Sequence, residues 1–452
     1  MSVLDACGPA RAVGKGRRAA SHARIRRPAV SHWPRTLDPR MPNVQGKVLG
    51  LGRSLTTLLD NRATSEARED IRRQLRRSLE CLVGVHFTEG NAITVLRNGD
   101  EIFPAMLEAI RKAQHTVDLM TFVYWKGKPA QQFADALCER AKAGLRVRVL
   151  IDALGGIQIE DGIVEAMEDS GVDVHWYRKL WLNSPFKQNH RGHRKVCIID
   201  ETIGFTGGVG IAEEWGGDAR NKNEWRDTHF RVEGPAVDGL AAAFIQDWAE
   251  TGRPLYDERD RFPDQPQPGA AAVQVVRGSA SIGWNDIRTV WYVLIRSSRH
   301  RIRLQTAYFS PDSHLVAALK EAVSRGVEVD ILLPGPNADK RVAQLASEGT
   351  YADLISAGIR IWNFQPSMLH TKVMVVDGAA ALVGSSNVNR RSLDHDEEVA
   401  MVVIDQASVD LLDHQFTQDL QRSRQIDLSR WQGRSAPQRT LETAVTAIRR
   451  WL

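Results

Sequence analysis

Cysteine is scarce in this chain: four among 452 residues, Cys7, Cys81, Cys138 and Cys197, with no two at C-x-x-C spacing. That scatter argues against a disulfide framework and against a zinc site, and it fits a reducing compartment. Long apolar runs are missing too. No stretch of about 18 consecutive apolar residues occurs, so a spanning helix is not expected and the chain reads as soluble or lying on a membrane surface. No Gly-rich loop follows a strand-like segment, which leaves a nucleotide cofactor unindicated. Acids are short at the N-terminus, where nine Lys/Arg in the first 40 residues face only Asp5 and Asp38. With a total of +5, the rest of the chain then sits near neutrality at −2. This arm has neither a hydrophobic stripe nor an apolar signal-peptide core, so it is expected to be disordered and not secretory, although its Arg-rich character overlaps loosely with transit peptides. Two uses fit it: a solvated tail, or attraction to anionic lipid headgroups or nucleic acid.

What is present is a pattern that occurs twice. His370-Thr371-Lys372-Val373-Met374-Val375-Val376-Asp377 is followed six residues later by Gly384-Ser385-Ser386-Asn387. The earlier segment His193-Arg194-Lys195-Val196-Cys197-Ile198-Ile199-Asp200 has the same spacing and, again after six residues, leads to Gly207-Gly208-Val209-Gly210. The four apolar residues in each copy suit a strand buried on both faces. Two residues apart at the strand's entry, histidine and lysine project from one side and can converge on a single ligand. An imidazole beside an ammonium suits a phosphate, because lysine neutralises oxygen charge while histidine attacks phosphorus or moves a proton.

The repeat extends well beyond the motifs. Ala109–His115, a strand Thr116–Trp125, a helix through Phe133–Leu137 and a strand Leu145–Asp152 parallel Leu294–His300, a strand Arg301–Phe309, a helix Leu315–Ser324 and a strand Val327–Leu333. In both copies Gly144 or Gly326 ends the helix. Each half continues with a helix (Gly162–Ser170; Val342–Ser356), a strand (Val172–Tyr177; Ile359–Phe364) and its H-x-K strand, placing equivalent residues 177 positions apart. Strands alternating with helices predict an α/β fold with mostly parallel sheets, built as two similar halves around one shared cleft. The boundaries read as a basic arm (1–48), a helical segment (49–89), a first half (90–252), a Pro-rich linker (253–272), a second half (273–425) and a C-terminal amphipathic segment (426–452). Between Leu55 and Leu82, Leu55, Leu58, Leu59, Ile71, Leu75 and Leu79 recur at helical spacing, as expected of amphipathic helices packed on the body or lying on a membrane.

The paired H-x-K-x4-D motifs resemble the phospholipase D superfamily, in which two such motifs build one active site. The resemblance covers roughly Asn91 to Asp405. Gly90-Asn91, Phe122–Trp125, Trp225–His229, Glu233–Val237 and Ala307–Pro311 are similar to its cardiolipin synthase branch, of the kind without transmembrane helices. It implies a phosphatidyltransferase that moves a phosphatidyl group from one phosphatidylglycerol to the hydroxyl of another through a phosphohistidine. The other activities it leaves open are phospholipase D hydrolysis and cleavage of nucleic-acid phosphodiesters.

The implied catalytic set is His193, Lys195, Asp200, His370, Lys372 and Asp377, with His193 assigned as nucleophile and His370 as general acid. Asp200 and Asp377 lie several residues along their strands, a position better suited to bracing the fold. Each histidine needs an acid to fix its tautomer. The resemblance makes Glu398 the candidate in the second half, and register gives Asp227 in the first. Ser385 and Asn387 would bind phosphate. Gly208 and Gly210 stand at their positions in the first half, leaving only backbone N–H groups there, although the branch commonly has asparagine where Gly210 stands. No metal ligand set and no cofactor is expected, since the motifs lack the clustered acids that hold divalent ions. The implied partner is anionic phospholipid at the cytoplasmic face of the cell membrane, with no obligate protein partner evident. Leu441, Val445, Ile448 and Leu452 form one helical face beside Trp451, Arg449 and Arg450, which suits either an interfacial helix or a terminal helix packed on the body.

Overall fold

The computed structural model describes residues 66–179, 190–259, 261–279 and 286–429. The basic arm, Leu55 to Leu59 and the C-terminal amphipathic segment from residue 430 on lie outside the described residues. In the first half the strands are β1 (Thr88–Arg97), β2 (Thr116–Thr121), β3 (Arg146–Asp152), β4 (Asp173–Tyr177), β5 (Val196–Ile199), β6 (Ile203–Gly207) and β7 (Thr228–Glu233). The second half has β8 (Ala271–Gly278), β9 (Arg301–Thr306), β10 (Phe309–Ser310), β11 (Glu328–Pro334), β12 (Arg360–Phe364), β13 (Lys372–Val376), β14 (Ala380–Gly384), β15 (Val388–Asn389), β16 (Glu398–Ile404) and β17 (Ser423–Gln425).

Fifteen of these strands form one sheet in the order β17-β12-β11-β9-β13-β14-β16-β8-β1-β7-β6-β5-β2-β3-β4. Read outward from the β8–β1 seam, the two sides run through equivalent strands, so the chain repeat becomes a pseudo-two-fold sheet. The seam is antiparallel, pairing Thr88 with Val273 and Asn91 with Ala271. Buried Asn91 ties it down: its amide donates to Ala271 O at 3.1 Å and its Oδ1 accepts from Ala236 N at 2.8 Å.

The α/β class and the two halves match the sequence expectation, but the sheet is mixed, with antiparallel pairings in the majority. Within it only β2–β3–β4 and β9–β11–β12 are parallel. These are the strands joined by helical crossovers, which return the chain to the same end of the sheet. Connections of three residues, 200–202 and 377–379, lead out of the motif strands, and so short a link closes only a hairpin. Hence β5–β6 and β13–β14 are antiparallel. Apolar runs report burial on both faces, which does not settle strand direction.

Local boundaries shift for similar reasons. The expected helix Val342–Ser356 is two helices, Arg341–Glu348 and Tyr351–Ser356, broken at Gly349-Thr350. The strands expected to reach Trp125 and Phe309 stop at Thr121 and Thr306, whose hydroxyls bond Val123 O at 2.9 Å and Tyr308 O at 3.1 Å and turn the chain out of the sheet. Residues 66–83 are helical, and Ile71, Leu75 and Leu79 enter the core of the second half beside Val276 and Leu294, while Leu82 is exposed. One sheet face carries an apolar layer continuous across both halves, from Val196 and Ile198 to Val373 and Val375.

The motif aspartates brace this frame. Asp200 accepts the backbone N–H groups of Gln114, His115 and Thr116, and Asp377 those of Arg299, His300 and Arg301, at 2.7 to 3.1 Å. Both have left-handed backbones, φ 50° and 54°, which aspartate tolerates better than most residues. They sit at the opposite end of their strands from the histidines, about 20 Å away at ~3.3 Å per residue, so their inclusion in the catalytic set is corrected here. Asp377→Ala is expected to strip three N–H groups of their acceptor and cost roughly 1–3 kcal/mol, read as a lower Tm. A large fall in kcat at unchanged Tm would return Asp377 to the chemistry.

Candidate active site

His193 and His370 are delivered by matched backbone devices. Buried Asp152, at the end of β3, binds the Arg191 guanidinium (Nη2 at 2.8 Å) and Gly192 N at 2.9 Å. The segment then forms a β-bridge with the other half: Gly192 pairs with Glu397, His193 N donates to Glu397 O at 2.9 Å, and Glu397 N donates to Arg191 O at 2.8 Å. The counterpart bridge pairs Arg226 with Leu369; Arg226 N donates to Met368 O at 2.8 Å and His370 N to Arg226 O at 2.7 Å.

These bridges set Glu398 and Asp227 opposite histidines of the other half. His193 Nδ1 lies 2.9 Å from Glu398 Oε1, and His370 Nδ1 lies 2.7 Å from Asp227 Oδ2, with both carboxylates fully buried. Along the chain each acid falls in the same half as one histidine; folded, each serves the other one. A carboxylate on Nδ1 holds that nitrogen as the donor and leaves Nε2 for chemistry. Each lysine turns back on its own histidine: Lys195 Nζ donates to His193 O at 2.9 Å, and Lys372 Nζ donates to His370 O and lies 3.2 Å from His370 Nε2. Two buried arginines fix the acids from behind, Arg194 donating to Glu398 O and Arg226 to Asp227 O.

The electrostatics follow from packing four potential cations and two acids out of water. Burial, then Lys195 and Lys372, hold the His193 imidazole well below its ordinary range. Burial and Lys372 push His370 down to about 4 despite Asp227. Burial also brings Lys195 to about 8 and Lys372 to about 7, and raises Glu398 to about 7. Burial would raise Asp227 too, but His370, Lys372 and the Trp215 N–H together hold it below the usual carboxylate range. Both imidazoles are therefore neutral at pH 7, and a bound anion favours protonation of His370, whose partner Asp227 is ionised.

The Gly-containing turns act differently from expectation. Ser385 Oγ donates to Glu398 Oε2 and accepts from Val399 N, so it steadies the acid that holds His193. Asn387 lines the cavity above His193. In the first half the Gly208 N–H is already bonded to Thr228 O at 3.2 Å, which corrects the expectation that it is available to phosphate. A Cβ at Gly208 would stand 2.2 Å from Asp227 Oδ1. Aspartate, one methylene shorter than glutamate, seats its carboxylate closer to the turn, so this half has Gly where the other has Ser. A Cβ at Gly210 would come within 2.7 Å of Val123 Cβ and 3.2 Å of the Trp215 ring.

Trp215 was not legible in the sequence. Its Nε1 donates to Asp227 Oδ2 at 2.9 Å, doing for Asp227 what the Ser385 hydroxyl does for Glu398, and its ring meets His370 edge-on at 5.1 Å. Phe122 packs on His193 and Tyr308 on His370, with centroids 5.1 and 6.4 Å apart. A cavity of about 470 Å³ opens above His193, walled by Phe122, Leu154, Tyr308 and Asn387. Among the described residues no group of three or more His, Cys, Asp or Glu is placed to hold a metal ion.

Two H-x-K strands from a duplicated α/β unit, brought together in one site, are the architecture of phospholipase D-like proteins. The sequence matches the family described as "Cardiolipin synthase, PLD-like domain" over residues 106–224 and 292–420. It is 33% identical over 357 residues to cardiolipin synthase 2 of Bacillus anthracis, spanning 77% of this chain and 68% of that protein. It is also 33% identical over 354 residues to a cardiolipin synthase of Geobacillus sp. (strain WCH70), spanning 77% and 70%. Among solved structures, the fold is similar to phosphatidylserine synthase of Haemophilus influenzae, with TM-score 0.66 at 16% identity, covering 84% of this chain and all of that one. Polyphosphate kinase of Porphyromonas gingivalis shares the fold at TM-score 0.52 and 15% identity, over 78% of this chain and 53% of that one. The chain belongs to the cardiolipin synthase, PLD-like domain family.

The Trp215 contact makes a testable prediction about His370. Trp215→Phe keeps a ring against the imidazole but removes the N–H that stabilises ionised Asp227. The carboxylate becomes more basic and holds the imidazolium more firmly, so the apparent pKa of His370 in the pH–rate profile is expected to rise by roughly half to one unit, a hydrogen bond's worth. An unchanged or lower value would reduce Trp215 to packing.

Proposed function

We propose that the protein is a phosphatidyltransferase that makes cardiolipin from two phosphatidylglycerol molecules. The observation that carries this is the exchanged pairing: His193 with Glu398 and His370 with Asp227, each imidazole held at Nδ1 by a buried carboxylate beside a lysine. His193 lines the cavity, whereas His370 lies beneath Trp215, Trp225 and Tyr308. This supports His193 as nucleophile.

The site residues divide the reaction into two displacements. Nε2 of neutral His193 forms a bond to phosphorus as the bond from phosphorus to the glycerol oxygen breaks, and His370, brought to its protonated form by the bound phosphodiester beside ionised Asp227, gives that oxygen the proton on its Nε2. Glycerol leaves and the phosphatidyl group stays on His193. His370, now the base, takes the proton of the acceptor hydroxyl, whose oxygen bonds to phosphorus as the P–N bond breaks. Lys195 and Lys372 offset charge on the non-bridging oxygens in both steps. Because the acids are exchanged, neither half is complete alone.

Its relatives bear the name of an enzyme whose product is a membrane lipid. Among the described residues no helix is long and apolar enough to cross a membrane. Work from the cytoplasmic surface of the bilayer, on anionic lipid, fits both.

With labelled phosphatidylglycerol in vesicles, equimolar cardiolipin and glycerol are expected. His193→Ala and His370→Ala should each lower the rate by about 10³-fold or more, and acid-sensitive label should be trapped on His193 but not in His193→Ala. Phosphatidic acid as sole product would mark a hydrolase, and turnover of nucleic acid in place of lipid would overturn the substrate class.

A further inference from the structure

The cavity above His193 is chemically lopsided. The wall from the first half is uncharged, Phe122 and Leu154, while the wall from the second half carries Lys340, Arg341 and Arg391 with a single acid, Asp396. Lys195 and Lys372, buried beside the two histidines, are already assigned to the phosphoryl group being transferred. Three further cations around the same space have no task in that step.

We propose that Lys340, Arg341 and Arg391 form a second-anion subsite that holds the phosphodiester of the acceptor lipid while its hydroxyl is activated below. The inference rests on the transferase function above and names the part of the site that selects an anionic acceptor over water or a neutral alcohol. The wall is continuous with the proton-transfer machinery. Tyr308 meets His370 edge-on at 6.4 Å, Lys340 Nζ lies over the Tyr308 ring 5.3 Å from its centroid, and the phenol donates to Asp339 Oδ2 at 2.6 Å, which fixes the ring. An acceptor phosphate at Lys340 therefore sits one aromatic ring away from the imidazole that must deprotonate the acceptor. In phosphatidylglycerol a three-carbon glycerol separates that phosphate from the attacking hydroxyl, so the two cannot occupy the same spot. A cavity of about 470 Å³ falls within the roughly 300–1,000 Å³ of ordinary ligand sites and has room for both headgroups.

The side chains are held for this task to different degrees. Arg391 Nε is 3.2 Å from Asp396 Oδ2 and Arg341 Nη1 is 3.3 Å from Glu348 Oε1, so both are oriented by carboxylates. With three cations and Asp396 the one acid among the lining residues, the wall is net positive. Lys340 and Arg341 are exposed at the mouth, where an entering anion meets them first.

The test is acceptor partitioning by the full chain in phosphatidylglycerol vesicles with ethanol added as a neutral acceptor. Both products arise from the same phosphohistidine, so the ratio of cardiolipin to phosphatidylethanol does not depend on donor binding, vesicle binding or the amount of folded enzyme. Lys340→Glu and Arg341→Glu are each expected to lower that ratio by about tenfold, the scale of a reversed charge at a binding site, and Lys340→Arg to keep it. A ratio unchanged in both charge reversals, whatever happens to total turnover, overturns the subsite while cardiolipin synthesis by the unaltered protein stands. If the unaltered protein forms phosphatidylethanol and phosphatidic acid but no cardiolipin, the cardiolipin-forming reading fails first and the subsite with it.

Discussion

The exchange of acids between halves is the constraint on which the rest of the structure depends. A histidine that attacks phosphorus needs Nδ1 held and Nε2 free, and a buried carboxylate does both. Here Glu398 serves His193 and Asp227 serves His370, so each imidazole is oriented only if the halves dock in one register. The bridges Gly192–Glu397 and Arg226–Leu369 enforce that register through the backbone, and the β8–β1 seam holds it from the centre of the sheet. Fold and site are thus one problem: displacing either half breaks both pairs.

Such a site is expensive to bury. Two lysines, two imidazoles and two carboxylates lose most of their hydration, and an unpaired charge in their place would be strongly destabilising. The structure answers with further buried pairs around the site: Arg191 on Asp152, Arg194 on Asp247 and Arg226 on Asp419. These arginines also donate to backbone carbonyls, so they satisfy the segments that carry the paired histidines and acids. The arrangement favours neutral imidazoles and an ionised Asp227 until an anion arrives, a state suited to nucleophilic attack.

Pseudo-symmetry is kept in the mechanism and broken in its supports. Glu398 is steadied by a serine of the adjacent turn, Asp227 by an indole from the short 3-10 helix Glu213–Trp215. The shorter acid, the glycines at 208 and 210 and the bulk of Trp215 are one coordinated substitution, since a side chain at either glycine would collide with that packing. The cavity repeats the asymmetry, with an uncharged wall from one half and a cationic one from the other. In the proposed reaction, two displacements with different partners give the halves different work.

Much of this was legible along the chain, for a physical reason. A duplicated H-x-K-x4-D pattern is local: spacing of two puts histidine and lysine on one side of a strand, and an apolar run buries that strand, whatever its neighbours are. The repeat, the crossover helices with their closing glycines and the two lysines were accessible from such short-range regularities, while Glu398 and, by register, Asp227 came from the family resemblance. What the sequence could not state was pairing. Strand direction around the motifs was set by three-residue links that permit only hairpins, and the bracing task of Asp200 and Asp377 by backbone N–H groups more than 70 residues away. Which acid meets which histidine, and that Trp215 stands in for a serine, depended on contacts between segments over 140 residues apart or on a loop with no motif of its own. Sequence by itself determined the chemical groups and the strands that carry them. Only the tertiary structure decided their partners, because partner choice is fixed by how two halves dock and no local periodicity encodes that.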